Sequence, residues 1–359
     1  MNAMDLTTFG WNEFFEVNFR SYALSGYTAG RVALEHKNLF RVYSQYGDVF
    51  AEISGKLRHE AVNRTHLPAV GDWVVIRSRP DRGRVMIHAV LPRKTSFARK
   101  TAGSRTEEQI VGANIDTVFL ITSLNQDFSL RRIERYLIVA SESGANPIII
   151  LSKSDLCDAV PDRLAQVQAV ARGVPIHAIS VVTGWGLQDI AEYFKHGQTV
   201  ALLGSSGVGK STLINHLIGV DHLKVQPVRE DDDRGRHTTT HRELILLPDG
   251  GLVLDTPGMR ELQLWDGDGS LPSVFDDIEA LAENCFFSDC RHHDEPRCAI
   301  REALDAGIID TGRYQSYEKL QKELNYLARR KDKLSEIVEK KKWKKLSRMA
   351  SERAYLKRR

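Results

Sequence analysis

The sequence predicts a multidomain α/β protein, and three changes of pattern along the chain carry that prediction. From Arg31 to about Ser96, short segments alternate apolar and polar residues and are broken by turn residues. From about Asn114 the apolar residues gather into continuous blocks, separated by stretches with helical spacing. From Asn284 the chain places Cys285, Cys290 and Cys298 close together, and a long charged helical stretch follows. These regions read as an N-terminal OB-fold β-barrel, an α/β sheet of parallel strands, and a C-terminal metal-binding helical module. The expected boundaries are 1–30 for an N-terminal extension, 31–97 for the barrel and 98–272 for the sheet domain. The metal module then spans 273–320 and a basic helical tail 321–359.

The N-terminal extension is rich in aromatic residues. Trp11, Phe14, Phe15 and Phe19 have helical spacing, so the segment is either a short helix or a loosely held arm. In the barrel, Leu39–Tyr43 and Asp48–Ile53 flank Gln45, Tyr46 and Gly47 as hairpin strands do. Gly71–Ile76 and Arg84–Val90 form a second pair of strands across Pro80–Gly83. Arg58, Arg64, Arg77, Arg79, Arg93 and Lys94 fall in or near its loops, which suits RNA contact; a structural or protein-docking barrel is the alternative.

The parallel strands are expected at Asp116–Thr122, Asn146–Leu151, Val174–Ser180 and Thr199–Leu203, with helices over Leu130–Ser143 and Arg163–Arg172. After the last of these strands come Gly204, Ser205, Ser206, Gly207, Val208, Gly209, Lys210, Ser211 and Thr212. This run fits G-x-x-x-x-G-K-[ST], and the helical spacing of Thr212–Ile218 completes the strand, loop and helix that a P-loop requires. Its backbone N–H groups can cradle phosphates, Lys210 can reach the β- and γ-phosphates, and the Ser211 hydroxyl can ligate Mg²⁺. The chain therefore binds a nucleoside triphosphate.

Downstream, Arg242–Leu247 and Gly251–Asp255 read as a hairpin, ending in Asp255, Thr256, Pro257 and Gly258. An aspartate there can hold Mg²⁺ through water, and the Gly258 N–H can sense the γ-phosphate. Between hairpin and P-loop, one of three threonines can complete the Mg²⁺ shell, Thr239 being favoured over its neighbours. Ser152, Lys153 and Asp155 follow a buried strand and resemble the Asn-Lys-x-Asp guanine motif. Asp155 can accept from guanine N1–H and the 2-amino group, which adenine does not offer together. Ser180, after the next strand, opens a loop able to close over guanine O6. Ser152 stands where the motif has asparagine, and a shorter side chain is expected not to bridge the loops. The position after Gly258 that often carries glutamine is Met259, which cannot orient water; His237 is the candidate within the chain.

Three thiolates and one imidazole, from His292 or His293, make a closed tetrahedral zinc site without an open position. Charge is unevenly spread. Net charge is +3, yet residues 319–359 hold 16 Lys/Arg against 5 Asp/Glu, so the rest of the chain is net acidic. That tail, with Trp343 among its lysines, fits an acidic surface such as nucleic acid. No apolar run approaches a membrane span and the N-terminus lacks a signal-peptide pattern, so a cytoplasmic protein without membrane contact is expected.

In most GTPases the P-loop precedes the guanine motif, whereas here Ser152–Asp155 and Ser180 come first. The chain thus resembles a circularly permuted GTPase. With the preceding barrel and the following cysteines, it looks like the bacterial ribosome-small-subunit-dependent GTPase A (RsgA/YjeQ) family over residues 31–320. That resemblance implies a GTP hydrolase using GTP with Mg²⁺ and one zinc ion per chain. It implies stimulation by the 30S subunit, contact with its 16S rRNA, and a nucleotide-switched part in late small-subunit maturation. It also points to His292 as the fourth metal ligand, and the family commonly has glycine where Arg297 stands. A monomer is expected. The rival reading is a nucleotide-regulated rRNA-binding scaffold whose hydrolysis is incidental.

Overall fold

The computed structural model of the chain describes residues 4–36, 39–79, 84–100, 108–195, 197–219, 242–255, 271 and 274–329. It divides into two compact units, residues 1–263 and 264–359.

In the first unit, alternating residues close a barrel from β1 (Thr28–His36), β2 (Leu39–Ser44), β3 (Gly47–Ile53), β4 (Trp73–Arg79) and β5 (Arg84–Val90). β1 pairs with both β2 and β4, β2 with β3, β3 in parallel with β5, and β5 with β4, so the ring has no free edge. Val32, Phe40, Val42, Val74, Ile76 and Ile87 fill it. Between β3 and β4, α2 (Gly55–Glu60) adds Leu57 to that core, and its first turn is capped by the Ser54 hydroxyl accepting from Leu57 N–H.

The aromatic N-terminus is a helix, not a loose arm. Asn12 caps α1 (Glu13–Leu24), and Phe15 and Phe19 are buried. Trp11 and Phe15 pack against Trp73 with ring centroids 4.7 and 5.6 Å away. β1 begins at Thr28, three residues before the expected start of the barrel. Arg31 holds this corner together. Its buried guanidinium donates to the carbonyls of Phe9, Gly71 (3.2 Å) and Asn114 (2.8 Å). Burial pulls its pKa down to about 10, against the opposing charges of Asp116 and Asp72. Arg93 is likewise committed inward. It donates twice to the buried Asp72 carboxylate at 2.7 Å and also to the carbonyls of Thr65 and Leu67. Arg93 is therefore a lock within the barrel rather than a loop cation for RNA.

A hairpin that alternation did not reveal follows: β6 (Ser96–Lys100) pairs with β7 (Glu108–Ala113), and the boundary expected at 97/98 falls inside β6. The α/β sheet then contains β8 (Thr117–Ser123), β9 (Asn146–Ser152), β10 (Ile176–Ala178), β11 (Thr199–Gly204), β12 (Glu243–Leu246) and β13 (Leu252–Asp255). Their spatial order is β10-β9-β8-β11-β13-β12, and β1 of the barrel pairs next to β12. The first five run parallel, buried as apolar strands must be when helices cover both faces. α3 (Leu130–Ser143) turns Ile133, Leu137, Ile138 and Ala140 inward and stops at Gly144 in the left-handed region. α4 (Val160–Val170), the short α5 (Leu187–Ala191) and α6 (Lys210–Ile218) complete the layers.

In the second unit, α7 (Asp276–Ala282) and α8 (Ala299–Asp305) flank the cysteine loop, and a further helix, α9, runs over residues 311–329. Arg313 on α9 fastens this unit. It donates to both Asp277 carboxylate oxygens at 2.8 and 2.9 Å and to the Val274 carbonyl, with its guanidinium over Phe275. Among the described residues no helix is long and apolar enough to cross a membrane.

Candidate functional site

The site lies at the carboxyl ends of the parallel strands, where chain reversal between β8 and β11 opens a crevice. Five of the strands deliver a marked residue or loop there. β9 ends in Ser152, β10 leads to Ser180, β11 ends in Gly204, and β13 ends in Asp255; β8 supplies Ile121 to the floor.

The loop Gly204–Gly209 keeps its shape for local reasons. A Cβ on Gly204 would stand 2.4 Å from the Ile121 carbonyl, so no larger residue fits. Gly209 has φ +100°, which an L side chain resists, and it caps α6. Val208 is fully buried and packs with Leu213 and Ile214 in the sheet's core, contributing about 1.5–3 kcal/mol of apolar burial. The valine pins the loop's apex while Ser206 and Gly207 stay exposed. Lys210 Nζ folds back over the loop and donates to the carbonyls of Gly204 (2.7 Å) and Ser205 (2.5 Å). Ser211 and Thr212 follow in the first turn of α6, half-buried.

Ser152 departs from expectation. It is buried, and its hydroxyl donates to the Val208 carbonyl at 2.6 Å, 56 residues away in sequence. The serine bridges the two loops because β9 ends close enough for a single hydroxyl to reach. Lys153 takes the left-handed conformation, φ +57°, which turns the chain abruptly into the Ser154–Leu156 turn. The Ser154 N–H bonds the Ile179 carbonyl at 3.1 Å, tying this turn to the loop after β10. There the Ser180 hydroxyl, buried, accepts from Thr183 N–H, and Ser180 N–H donates to the Trp185 carbonyl.

Together these loops enclose a cavity of about 330 Å³, within the range of small-molecule sites. Ser152, Lys153, Asp155, Val208, Gly209 and Thr212 line it. Asp155 is exposed at its mouth. Leu156, Val181 and Val182 add apolar walls that motif reading missed; their signal was adjacency to Asp155 and Ser180. Leu156 and Val182 are 64% and 85% exposed, an arrangement suited to a flat ring packing on them. Asp255 sits half-exposed at the end of β13. Thr239, His237 and Gly258 lie outside the described residues, as do Met259 and the lysine-rich residues 340–359.

In the second unit Cys285, Cys290, His292 and Cys298 place their ligand atoms within 4.8 Å of one another. Cys285 and Cys298 sulfurs are 3.9 Å apart, and His292 Nδ1 lies 3.5 and 3.4 Å from them. These separations match the edges of a tetrahedron with metal–sulfur bonds of about 2.3 Å. The cluster can hold a metal ion. Burial raises the Cys285 thiol, but N–H groups of Ile300 and Ala299 at the start of α8 outweigh it and leave it below its ordinary value. Cys290 is pushed up to about 11 by burial, then by the Cys298 and Cys285 thiols. Neighbouring thiols resist ionising together, and a divalent cation removes that conflict. Arg297 holds the left-handed conformation that suits glycine, φ +60°, with its guanidinium 4.3 Å from the Phe286 ring centroid.

A family model described as RsgA GTPase matches residues 90–265, and one described as 50S ribosome-binding GTPase matches residues 199–352. The small ribosomal subunit biogenesis GTPase RsgA of Opitutus terrae is 47% identical over 352 residues, covering 96% of each chain. The small ribosomal subunit biogenesis GTPase RsgA 2 of Lactiplantibacillus plantarum is 48% identical over 302 residues, 84% of this chain and 85% of its own. Among solved structures, YjeQ from Thermotoga maritima superposes with a TM-score of 0.61 at 28% identity, covering 83% of this chain and 98% of that one. YloQ, described as a circularly permuted GTPase, shares the fold with a TM-score of 0.59 at 24% identity, covering 83% and 95%.

Proposed function

The chain belongs to the RsgA GTPase family and is a GTP hydrolase, and from that premise we propose that it is a nucleotide-switched factor in biogenesis of the small ribosomal subunit. The observation that carries this reading is the convergence of the Ser152–Asp155 turn, the Ser180 loop and the Val208–Thr212 segment on one cavity. Such a cavity takes a purine base and leads its phosphates to a helix N-terminus.

In this reading Asp155 accepts from guanine N1–H and the 2-amino group, and Lys153 lies along the base. Backbone N–H groups after Ser180 meet O6. Those of residues 204–209 hold the phosphates, which draw Lys210 away from its two carbonyls. Ser211, Thr239 and Asp255 would hold Mg²⁺, which would supply positive charge to offset that of the β- and γ-phosphates. Gly258 senses the γ-phosphate and His237 orients the attacking water. Cys285, Cys290, His292 and Cys298 would hold one zinc ion, whose part would be structural because the four ligands leave no open position. The basic tail and the barrel meet 16S rRNA of the 30S subunit. The protein acts in the cytoplasm as a monomer.

The test is GTP hydrolysis by the purified chain with and without 30S subunits. Large stimulation is expected. Equal slow turnover in both, with 30S binding retained, would instead favour a scaffold whose hydrolysis is incidental.

A further inference from the structure

One row of directly opposed residues crosses the continuous sheet from the barrel to the nucleotide site. Arg41 on β2 faces Leu34 on β1, Leu34 faces Glu243 on β12, and Glu243 faces Asp255 on β13. Opposed residues share a face of a sheet, so the four side chains stand in line. Arg41 reaches across Leu34, and its Nη2 lies 2.6 Å from Glu243 Oε1. Both side chains are mostly shielded, 28% and 24% exposed. On the far side of Glu243 stands Asp255, and two carboxylates directly opposed across a ladder repel. Next to Arg41, the Tyr43 hydroxyl donates to the Leu244 carbonyl at 3.0 Å, so the barrel grips β12 at two successive residues.

We propose that Arg41, a barrel residue, is a positioning residue for the GTPase site: by neutralising Glu243 it keeps negative charge away from the γ-phosphate and so sets the preference for GTP over GDP. The inference rests on the reading of residues 204–212 and Asp255 as the site of the triphosphate. β12 is two strands from β11, which carries the P-loop. Ordinary strand spacing puts that at about 10 Å. The loop starts beyond the point where this row meets β11, so an uncompensated carboxylate on β12 stands somewhat farther than this from the γ-phosphate and weakens binding of that doubly charged group by about three- to fivefold, after allowance for solvent screening. GDP lacks that group and is affected less. The reverse also holds: removing the Glu243 charge favours GTP, although Arg41 keeps a second carboxylate, Asp48, 4.0 Å from its Nε.

The two single substitutions therefore act in opposite directions. Affinities of the full chain for GTP and for GDP, both with Mg²⁺, are measured by calorimetric titration. Arg41→Ala is expected to lower the GTP-to-GDP preference about three- to fivefold, and Glu243→Gln to raise it. Arg41→Lys keeps most of the preference, and Arg41→Ala with Glu243→Gln returns it to within about twofold of the parent. A salt bridge that served stability alone would move the ratio in neither variant, or in both the same way; either result overturns the proposal. Should Arg41→Ala not fold, Glu243→Gln, which leaves Arg41 over the Tyr43 ring, decides by the sign of its effect. Absence of guanine-nucleotide binding by the parent overturns the site reading and this inference with it. Intact binding with an unmoved ratio overturns this inference alone.

Discussion

The phosphate loop and the cysteine cluster are suited to opposite charges by opposite means. The loop from Gly204 to Gly209 offers backbone N–H groups, and its side chains serve mainly to shape it: no Cβ at Gly204, left-handed backbone at Gly209, an apolar anchor at Val208. The cluster offers side chains, three sulfurs and a nitrogen, brought together within fourteen residues of chain. A backbone site needs the sheet behind it, since its curvature is set by β8 and β11. A side-chain site needs little beyond its own turn. The first is therefore sensitive to contacts made far away in sequence, and the second to loss of a single ligand.

The sharpest test of the cluster's self-sufficiency is to remove a ligand. Cys290→Ala is expected to reduce bound zinc from one per chain to near nothing, whereas Cys157→Ala, outside the cluster, leaves it unchanged; metal analysis of fresh protein reads both. Stoichiometric zinc in Cys290→Ala would mean that other residues complete the site.

In the loop, Lys210→Ala removes the cation while leaving the backbone cradle. Loss of its charge-assisted bonds is expected to weaken GTP by about 3 kcal/mol, roughly a hundredfold. Titration that finds near-parental affinity would show the backbone alone to suffice. Asp155→Asn tests whether the base is read by the same cavity. GTP should weaken by about 2 kcal/mol while xanthosine triphosphate, whose 2-oxo group accepts from the new amide, is spared or favoured. Equal loss of both nucleotides would remove Asp155 from that role.

Ser152→Ala asks how far the loop depends on distant contacts. It leaves the Val208 carbonyl without its buried donor, at a cost of about 1–2 kcal/mol. Thermal unfolding should shift down by a few degrees and nucleotide affinity should fall about tenfold. Unchanged values would show the hydrogen bond to be incidental. The smallest effect is expected on the cluster's side. Arg297→Gly relieves left-handed strain of about 1 kcal/mol and forfeits a ring contact of similar size, so zinc content and unfolding should barely move. A clear loss of zinc would give the Phe286 contact a larger part than its exposure suggests.

Much of this architecture was legible in residue order because it is local. α3 has the predicted bounds, Leu130–Ser143, since its apolar spacing and Gly144 both mark them. β10 is shorter than the predicted Val174–Ser180 because tertiary pairing with β9 reaches no further than Ile176–Ala178. The β6–β7 hairpin is not legible in the sequence, as its strands carry too few apolar residues to show a period. Arg93 has no local sign of burial and reads as a loop cation in the sequence, because its acceptors lie 21–28 residues upstream.

By itself the sequence determined the P-loop, the permuted order of its companion motifs and the clustering of three cysteines beside two histidines, each a matter of residue type at short spacing. Only the tertiary structure decided that Ser152 reaches Val208, that Arg31 ties Phe9, ahead of the N-terminal helix, to the barrel, and that Arg41 lies in one row with Glu243 and Asp255. Those pairs are separated by tens to hundreds of residues, and no short-range period encodes them. They exist because closing the barrel and pairing β1 with β12 bring distant strands to about 5 Å, a distance that folding alone sets.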